Sequence, residues 1–346
     1  MKPLPMSPGC CCTNTGCCSS DPKEVPVAPT SLSFKDRLGA WKVRWGIGRM
    51  AYKVEPGLYA VGKPNGDSPV LVSANYKLTF DVLRKNLAGM DCWLLILDTK
   101  GVNVWCAAGK GTFGTSELVH RVEAAKLSQV VTHRKLILPQ LGAPGVSAHE
   151  VTRRTGFSVI YGPVRASDIQ AFISSGCQAT KEMRTVLFPF RDRLVLTPVE
   201  LVQAAQKSLL VFGVLFLLNL FAAKPFGGPD FIVYAGAVLV GSVLTPVLLP
   251  FIPGRAFAWK GWLLGLCWTA LAVGLFGWFT PDYRLSAAGY LLLLPAVSAY
   301  LAMNFTGSST YTSPSGVLKE MKTALPLIVG SAFVGSVLTV ITHLMG

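Results

Sequence analysis

The apolar positions of this chain follow two patterns, one before and one after about residue 200. In the first, short apolar runs alternate with segments of helical periodicity. The runs lack an alternating polar face, which is typical of parallel strands that helices cover on both sides. The runs and helical segments are 69–73, 79–87, 92–97, 102–105, 116–127, 136–138, 148–154, 157–161 and 166–173. This pattern predicts a doubly wound, Rossmann- or flavodoxin-like α/β domain.

Three loops of the predicted domain are rich in glycine, proline and alanine, namely 106–115, 139–146 and 161–166. In doubly wound sheets, ligands bind beyond the carboxyl ends of the strands, where loops of several strand–helix units converge. We therefore expect the three loops to line one cavity.

The second pattern consists of five long apolar segments, which predict an all-α transmembrane domain. They span 208–223, 231–252, 261–279, 285–303 and 324–344. Most are close to the roughly 20 residues that a bilayer requires. No ionisable residue lies at the middle of any of them, whereas transporters and pumps usually carry one there. The predicted membrane domain therefore serves as an anchor or platform.

The basic residues around these segments predict an orientation. Arg255, Lys260, Lys319 and Lys322 follow the second and fourth segments, whereas the loops after the first and third segments hold only Lys224 and Arg284. Because cytoplasmic loops carry the excess of Lys and Arg, the α/β domain is expected in the cytoplasm and the C-terminus outside. The predicted location is the inner (cytoplasmic) membrane.

Composition agrees with a membrane protein, since 51% of the residues are apolar and 14% are charged. The net charge is +14, and 26 of the 32 basic residues precede Ser208. No basic run interleaved with aromatic residues is present, so we expect no nucleic-acid partner. The basic first half instead predicts contacts with membrane lipids and an acidic protein partner.

The N-terminal residues contain no apolar core of signal-peptide length and are rich in Pro, Ser, Gly and Cys. Such a segment does not bury enough apolar surface to offset its ordering entropy. The predicted organisation is a disordered Cys-rich tail (1–35), an α/β domain (36–185), a linker or amphipathic helix (186–207) and a five-helix membrane domain (208–346). The tail holds Cys10, Cys11, Cys12, Cys17 and Cys18, which are either a trap for soft metals or unpaired thiols.

Cys106 is the best candidate for chemistry. It lies in the segment 103–110, which we interpret as the end of a strand running into a glycine-rich turn. A single Cys is usually a small buried residue. Here Ala107, Ala108, Gly109 and Gly111 remove side-chain bulk around it, which suits a large planar ligand, and Lys110 and a helix start favour the thiolate.

Other catalytic readings find less support. Residues 109–114 fit GxGxxG, but the carboxylate of a dinucleotide-binding site is missing about twenty residues further on. A Walker A loop is also absent, because Gly111 follows Lys110. His120, His133 and His149 form no catalytic arrangement with Ser and Asp that the sequence supports, so hydrolysis is not expected.

The stretch NVWCAAGKGTFGT resembles the family of membrane corrinoid proteins of mercury methylation (HgcA). SANYKLTFDVLR before it, and HRKLILPQLGAPG, GPVRA and NFTGSSTYTSPSG after it, extend the resemblance from about Gly57 to the C-terminus. The soluble part more distantly resembles the corrinoid domain of the corrinoid iron-sulfur protein large subunit of acetyl-CoA synthesis.

This resemblance implies a base-off, Cys-on cobalamin or cobamide, with Cys106 as the lower axial ligand of cobalt. The positions implied around the cofactor are Ser73, Thr79, Asn103, Val104, Trp105, Cys106, Ala107, Gln140, Leu141, Gly142, Tyr161, Gly162, Pro163 and Val164. Thiolate ligation would place electron density on the metal and ease delivery of a methyl group to a soft electrophile.

The implied activity is a corrinoid-dependent methyltransferase that moves a methyl group from methyl-cobalt(III) to Hg(II) and forms methylmercury. The implied methyl donor derives from methyl-tetrahydrofolate, and the implied partner is a ferredoxin-like protein with two 4Fe-4S clusters (HgcB). Cys10, Cys11, Cys12, Cys17 and Cys18 are a hypothetical Hg(II) site. Two alternatives stay open: a corrinoid methyl carrier of an acetyl-CoA-synthesis type pathway, and a non-catalytic membrane corrinoid-binding protein.

Overall fold

A computed structural model describes residues 25–280, 283–308 and 314–345. The N-terminal Cys cluster predicted as an Hg(II) site lies outside these residues. The first part of the chain holds helices α1 to α7 and strands β1 to β5. In chain order these are α1 (Phe34–Arg44), β1 (Gly57–Val61), β2 (Val70–Ala74), α2 (Lys77–Asn86), β3 (Cys92–Leu97), α3 (Val104–Gly109), α4 (Thr115–Ala124), α5 (Leu127–Val130), β4 (Lys135–Leu138), α6 (Ala148–Thr155), β5 (Ser158–Tyr161) and α7 (Ile169–Ser174).

The five strands form one sheet in the order β1-β3-β2-β4-β5. Strands β2 to β5 are parallel to one another, and the edge strand β1 pairs with β3 in the antiparallel sense. All five residues of β2 are buried, as expected for a central strand that helices cover on both sides. The doubly wound α/β prediction is confirmed, with an antiparallel edge strand that the sequence reading missed.

Two apolar layers cover the sheet. One face packs against α3, α4 and α6 through residues such as Phe113 and Val151. The other packs against α2 and α7 through residues such as Leu87 and Phe172. The site elements α2 and α3 therefore lie on opposite faces of the sheet.

Residues 25–35 are packed onto this domain, although we assigned them to a disordered tail. The backbone N–H of Ala28 donates to the Ala60 carbonyl at 2.8 Å, and Ala28 is buried. Ser33 caps α1 because its hydroxyl accepts a hydrogen bond from the Asp36 N–H at 3.2 Å. The packed chain therefore includes at least ten residues before the predicted domain boundary at 36.

The second part of the chain is helical. It holds α8 (Phe190–Asn219), α9 (Gly228–Leu239), a π-helical turn (Val240–Leu244), α10 (Thr245–Leu248), α11 (Phe257–Leu275), α12 (Arg284–Asn304) and α13 (Pro314–Met345). Five stretches within the described residues are long and apolar enough to cross a membrane: Phe190–Asn219, Gly228–Leu248, Phe257–Leu275, Arg284–Asn304 and Ser315–Met345. The prediction of five candidate spans is confirmed.

Helix α8 differs from the prediction because residues 190–207 of the presumed linker belong to the same helix as the first span. Proline is common at the first position of a helix, yet α8 continues through Pro198. A proline leaves the carbonyl four residues earlier without its helical donor. Here the Thr197 hydroxyl donates to that carbonyl, of Leu194, at 2.9 Å. The helix therefore stays unbroken from Phe190 to Asn219.

Candidate functional site

A cavity of about 410 Å³ opens at the carboxyl ends of β2 and β4. This is where doubly wound sheets bind ligands, and the volume falls within the roughly 300–1,000 Å³ of small-molecule sites. Its wall is mostly apolar, with few polar side chains such as Ser73, Thr79 and Asn103. The cavity can therefore hold a largely apolar group and orient it through those polar groups.

The cavity brings together nine of the predicted cofactor-contacting residues. These are Ser73, Thr79, Asn103, Val104, Trp105, Leu141, Gly162, Pro163 and Val164. They come from β2, α2, α3 and the loops that follow β4 and β5. The cavity is thus formed by two of the three predicted loops together with the start of α3.

Five predicted residues lie outside the cavity wall. Ala107 and Gly142 are buried, with Ala107 in the core beside Phe113. The Gln140 amide oxygen accepts from Arg184 at 2.7 Å, and the Tyr161 hydroxyl donates to the Val146 carbonyl at 2.8 Å. These four support the loops around the site. The fifth, Cys106, is described below.

Cys106 lies on α3 directly after Trp105, which lines the cavity, and its side chain is half-exposed. The segment we interpreted as a strand end is a short helix that begins at Val104. Asn103 starts it, because its side-chain oxygen accepts the Cys106 backbone N–H at 2.9 Å. A residue that lines the cavity therefore fixes the backbone of the thiol.

The small residues around Cys106 have two different roles. A Cβ added at Gly109 or Gly111 would meet nothing within 4 Å. The space beside these glycines is therefore open, as expected for a surface that faces a ligand. In contrast, Ala107 and Ala108 are buried. A Cβ at Gly145 would lie 3.1 Å from the Ala108 Cα, so that glycine permits close packing of the loop on α3.

Residues 109–114, which fit GxGxxG, form the turn between α3 and α4. Gly111 has φ +77°, the left-handed region that glycine adopts readily. Gly114 is the N-cap of α4, and Phe113 between them is buried. A dinucleotide fingerprint joins a strand directly to a helix, whereas this turn follows a helix. The structure therefore gives no support to a dinucleotide site here.

Asn75 is a positioning residue that the sequence reading missed. It follows β2 and is buried. Its side-chain oxygen accepts hydrogen bonds from the Thr99 N–H at 3.1 Å, the Thr99 hydroxyl at 2.9 Å and the Gly101 N–H at 3.0 Å. These bonds fix the loop that leads to Asn103. Only the three-dimensional pairing of the β2 and β3 ends reveals this role.

The histidines take no part in the cavity wall. A ring nitrogen of His133 lies 2.9 Å from the Ser68 carbonyl, before the start of β4 and thus at the opposite edge of the sheet. His149 is exposed on α6. Within the described ranges, no group of three or more His, Cys, Asp or Glu side chains could hold a metal ion.

Comparison with known proteins identifies relatives of this domain. Residues 47–173 match the family model of the CO dehydrogenase/acetyl-CoA synthase delta subunit. The α/β domain is similar to this family. Every residue of the cavity wall lies inside the matched segment, and the five candidate spans lie outside it.

The similar proteins include gamma subunits of the acetyl-CoA decarbonylase/synthase complex. The Methanopyrus kandleri protein is 35% identical over 127 residues, which are 36% of this chain and 27% of the relative. The Archaeoglobus fulgidus protein is 34% identical with the same coverage, and the Methanocaldococcus jannaschii protein is 31% identical over 36% of this chain and 26% of the relative. The chain thus spans about a quarter of the length of these relatives.

Proposed function

We propose that the α/β domain binds a corrinoid beside the carboxyl-end cavity and that the protein carries and transfers a methyl group. One observation carries this proposal: the cavity and the Cys106 helix both lie within the segment that is similar to the CO dehydrogenase/acetyl-CoA synthase delta family. Doubly wound domains bind cofactors at this edge of the sheet.

The residues present fit such a cofactor. A flat macrocycle requires a surface without protruding side chains, and Gly109 and Gly111 border open space beside α3. Its amide-bearing rim suits the few polar groups of the cavity, Ser73, Thr79 and Asn103. Its metal would find one soft donor nearby, the half-exposed thiol of Cys106.

When bound, a corrinoid supplies a cobalt centre that accepts and releases a methyl group. In this proposal the Cys106 thiolate would bind the cobalt, and Asn103 holds the Cys106 backbone in place through the 2.9 Å hydrogen bond. Asn75 fixes the preceding loop by three further hydrogen bonds. The loops after β4 and β5 would enclose the nucleotide tail, and the apolar wall would exclude water from the reacting face.

Two methyl acceptors are candidates. The matched relatives are named as subunits of the acetyl-CoA decarbonylase/synthase complex, which favours a methyl carrier in an acetyl-CoA-synthesis type pathway. The resemblance of the Cys106 motif to mercury-methylation proteins, and five candidate spans outside the matched segment, favour transfer to thiol-bound Hg(II). A ferredoxin-like partner with two 4Fe-4S clusters and a methyl-tetrahydrofolate-derived donor belong to the Hg(II) proposal.

The cofactor proposal is tested with the purified full chain supplied with cobalamin. We expect Cys106→Ala to retain bound corrinoid and to change its visible spectrum, because the thiolate that would bind the cobalt is removed. Cys177→Ala is the matched control, since Cys177 is also half-exposed but follows α7 and is not part of α3. Identical spectra for all three proteins would contradict ligation by Cys106.

The acceptor is tested separately. Membranes containing the protein, a reducing partner and methyl-tetrahydrofolate are incubated either with isotopically enriched Hg(II) or with the components of acetyl-CoA synthesis. The mercury reading is supported if the wild-type protein forms enriched methylmercury and Cys106→Ala does not. Acetyl-CoA formation without methylmercury supports the carrier reading. The absence of both products would contradict both readings.

A further inference from the structure

Helix α1 is fixed to the α/β domain by one face. The Asp36 carboxylate accepts hydrogen bonds from Lys77 at 2.6 Å and from Arg84 at 2.9 Å, both on α2. Val43 is buried. A Cβ at Gly39 would lie only 2.5 Å from the Tyr52 hydroxyl oxygen, so the helix backbone lies close to that ring. These contacts determine which side of α1 faces outward.

The outward face carries a stripe of large apolar side chains. Phe34, Leu38 and Trp41 are 81%, 39% and 56% exposed. At 3.6 residues per turn they fall within about 60° of one another around the helix. Asp36 and Val43 lie on the opposite side, in agreement with their contacts to the domain. Such a stripe is costly in water and indicates a surface that another phase or molecule covers.

Cations border this stripe on both sides. Lys35 and Lys42 lie on one flank, and Arg37 and Arg44 lie on the other. Lys35, Arg37 and Lys42 are exposed. An apolar face with an aromatic residue, flanked by Lys and Arg, is the arrangement of helices that lie in the interface of an anionic bilayer. A complementary protein surface would need acidic groups on both sides of an apolar groove.

The end of α1 lies beside the first candidate membrane span. A Cβ at Gly46 would be 3.9 Å from Val199 and 4.0 Å from Val202, both on α8. The last charged residue of that span is Lys207. Counted back from Asn219, the roughly 20 residues that a bilayer requires reach about residue 200 of α8. In a bilayer that α8 crosses, the end of α1 would therefore lie near the boundary between the lipid headgroups and the hydrocarbon core.

We propose that α1 is an interfacial helix that docks the α/β domain on an anionic membrane surface, with Phe34, Leu38 and Trp41 inserted and the flanking cations paired with lipid phosphates. This docking is independent of the proposed cofactor and reaction. It limits how far the domain can turn about α8 and keeps one side of the domain against the bilayer.

The test uses the full chain in nanodiscs of phosphatidylcholine and phosphatidylglycerol, with an environment-sensitive fluorescent amino acid at position 38. We expect quenching by lipids brominated in their acyl chains and protection from acrylamide in water. A second protein carries the probe at Arg153, which is exposed on α6. At position 153 we expect quenching by acrylamide and none by brominated lipid. The reason is that α1 is attached to α2, and α6 and α2 cover different faces of the sheet.

Charge variants test the lipid class. The triple variant Lys35→Gln, Arg37→Gln, Lys42→Gln should lower the ratio of docked to undocked probe at least about fivefold in the anionic nanodiscs. Lys135→Gln, Arg153→Gln, Arg154→Gln removes the same charge away from α1 and α2 and should leave the ratio unchanged. Acrylamide quenching at position 38 equal to that at 153 would overturn the proposal. Protection from acrylamide without quenching by brominated lipid would also overturn it and assign the stripe to a protein segment.

Discussion

The α/β domain and the helical bundle differ in where their large apolar side chains lie. In the domain, large aliphatic side chains such as Leu94 and Leu95 of β3 are fully buried. In the bundle, glycines make the closest contacts: a Cβ at Gly261 would lie 2.5 Å from the Ala302 Cβ. Large side chains instead face outward, as at Leu210, which is 74% exposed. The first pattern is typical of a domain whose core excludes water, and the second is typical of helices that lipid surrounds.

This difference separates the roles of the two regions. Burial of large side chains leaves a shaped cavity between α2, α3 and the loops after β4 and β5, where a ligand can be desolvated. Close helix contacts at glycines give a tightly packed bundle whose outer surface is apolar. The chemistry is therefore expected in the first region and attachment in the second, and the following substitutions test that division.

The largest contrast is expected between two thiols of the α/β domain. Cys92 is fully buried in β3, and burial, assisted by the charge of Asp91, raises the pKa of its thiol to about 12. Because only the thiolate reacts, Cys92 should label at pH 8 at least about a thousandfold more slowly than a free thiol of pKa about 8.5. The half-exposed Cys106 should label readily. Mass spectrometry of iodoacetamide-treated peptides measures both, and rapid labelling of Cys92 would contradict the burial.

Leucine truncation should distinguish the two regions next. Leu95→Ala leaves a cavity in a fully buried strand and should lower the free energy of unfolding of the domain by about 2–5 kcal/mol. Leu210→Ala, at a 74% exposed position of α8, should change it by less than about 0.5 kcal/mol. The urea dependence of Cys92 labelling reports domain opening in the full chain. Equal shifts for both variants would remove the contrast.

Glycine substitution should act in the bundle. Gly261→Ala places a methyl group 2.6 Å from the Ser298 carbonyl oxygen and should destabilise helix packing by about 1–3 kcal/mol. Gly330→Ala is the matched control, because a Cβ there meets nothing within 4 Å, and alanine favours the helix by up to about 1 kcal/mol. Thermal loss of helical circular dichroism in detergent compares the two. A lower Tm for Gly330→Ala than for Gly261→Ala would refute the packing account.

The smallest expected effect is the pH dependence of the α1 attachment. Burial alone would raise the pKa of Asp36, but hydrogen bonds from Lys77, Ser33 and Arg84 outweigh it and lower that pKa below its ordinary range. The stabilisation is therefore complete above about pH 4 and is lost as the pH falls further. Asp36→Asn should cost about 1 kcal/mol at pH 7 and much less only near pH 1, because the lowered pKa keeps the Asp36 carboxylate ionised in the folded protein at pH 3. A cost that is the same at pH 7 and pH 1 would show that ionisation of Asp36 contributes nothing.

The sequence predicts the sheet core and the spans because their patterns are local. Residues 92–97 form β3 over the predicted bounds, since six consecutive apolar residues suit a buried strand. The antiparallel strand β1 was missed because its pairing with β3 depends on distant residues. The unbroken α8 was missed because one hydroxyl, that of Thr197, compensates for Pro198.

The candidate site was predicted in part for the same reason. Loop composition located the cavity, and nine predicted residues line it. Composition alone does not distinguish a glycine that borders open space, such as Gly109, from one that packs in the core, such as Gly142. An added Cβ at Gly142 would lie 2.5 Å from the Phe113 ring. Asn75 was missed because its three acceptor contacts arise only when the ends of β2 and β3 come together.

Cavity filling tests most directly the claim that the carboxyl-end cavity of the α/β domain binds the corrinoid. Thr79 lines the cavity from α2, whereas Thr152 is exposed on α6. Titration of the full chain with cobalamin, followed by visible absorbance, gives the Kd of Thr79→Trp, Thr152→Trp and the wild type. We predict a Kd raised at least about tenfold for Thr79→Trp, a loss of about 1.4 kcal/mol, and an unchanged Kd for Thr152→Trp. An unchanged Kd for Thr79→Trp in a folded protein would contradict the account.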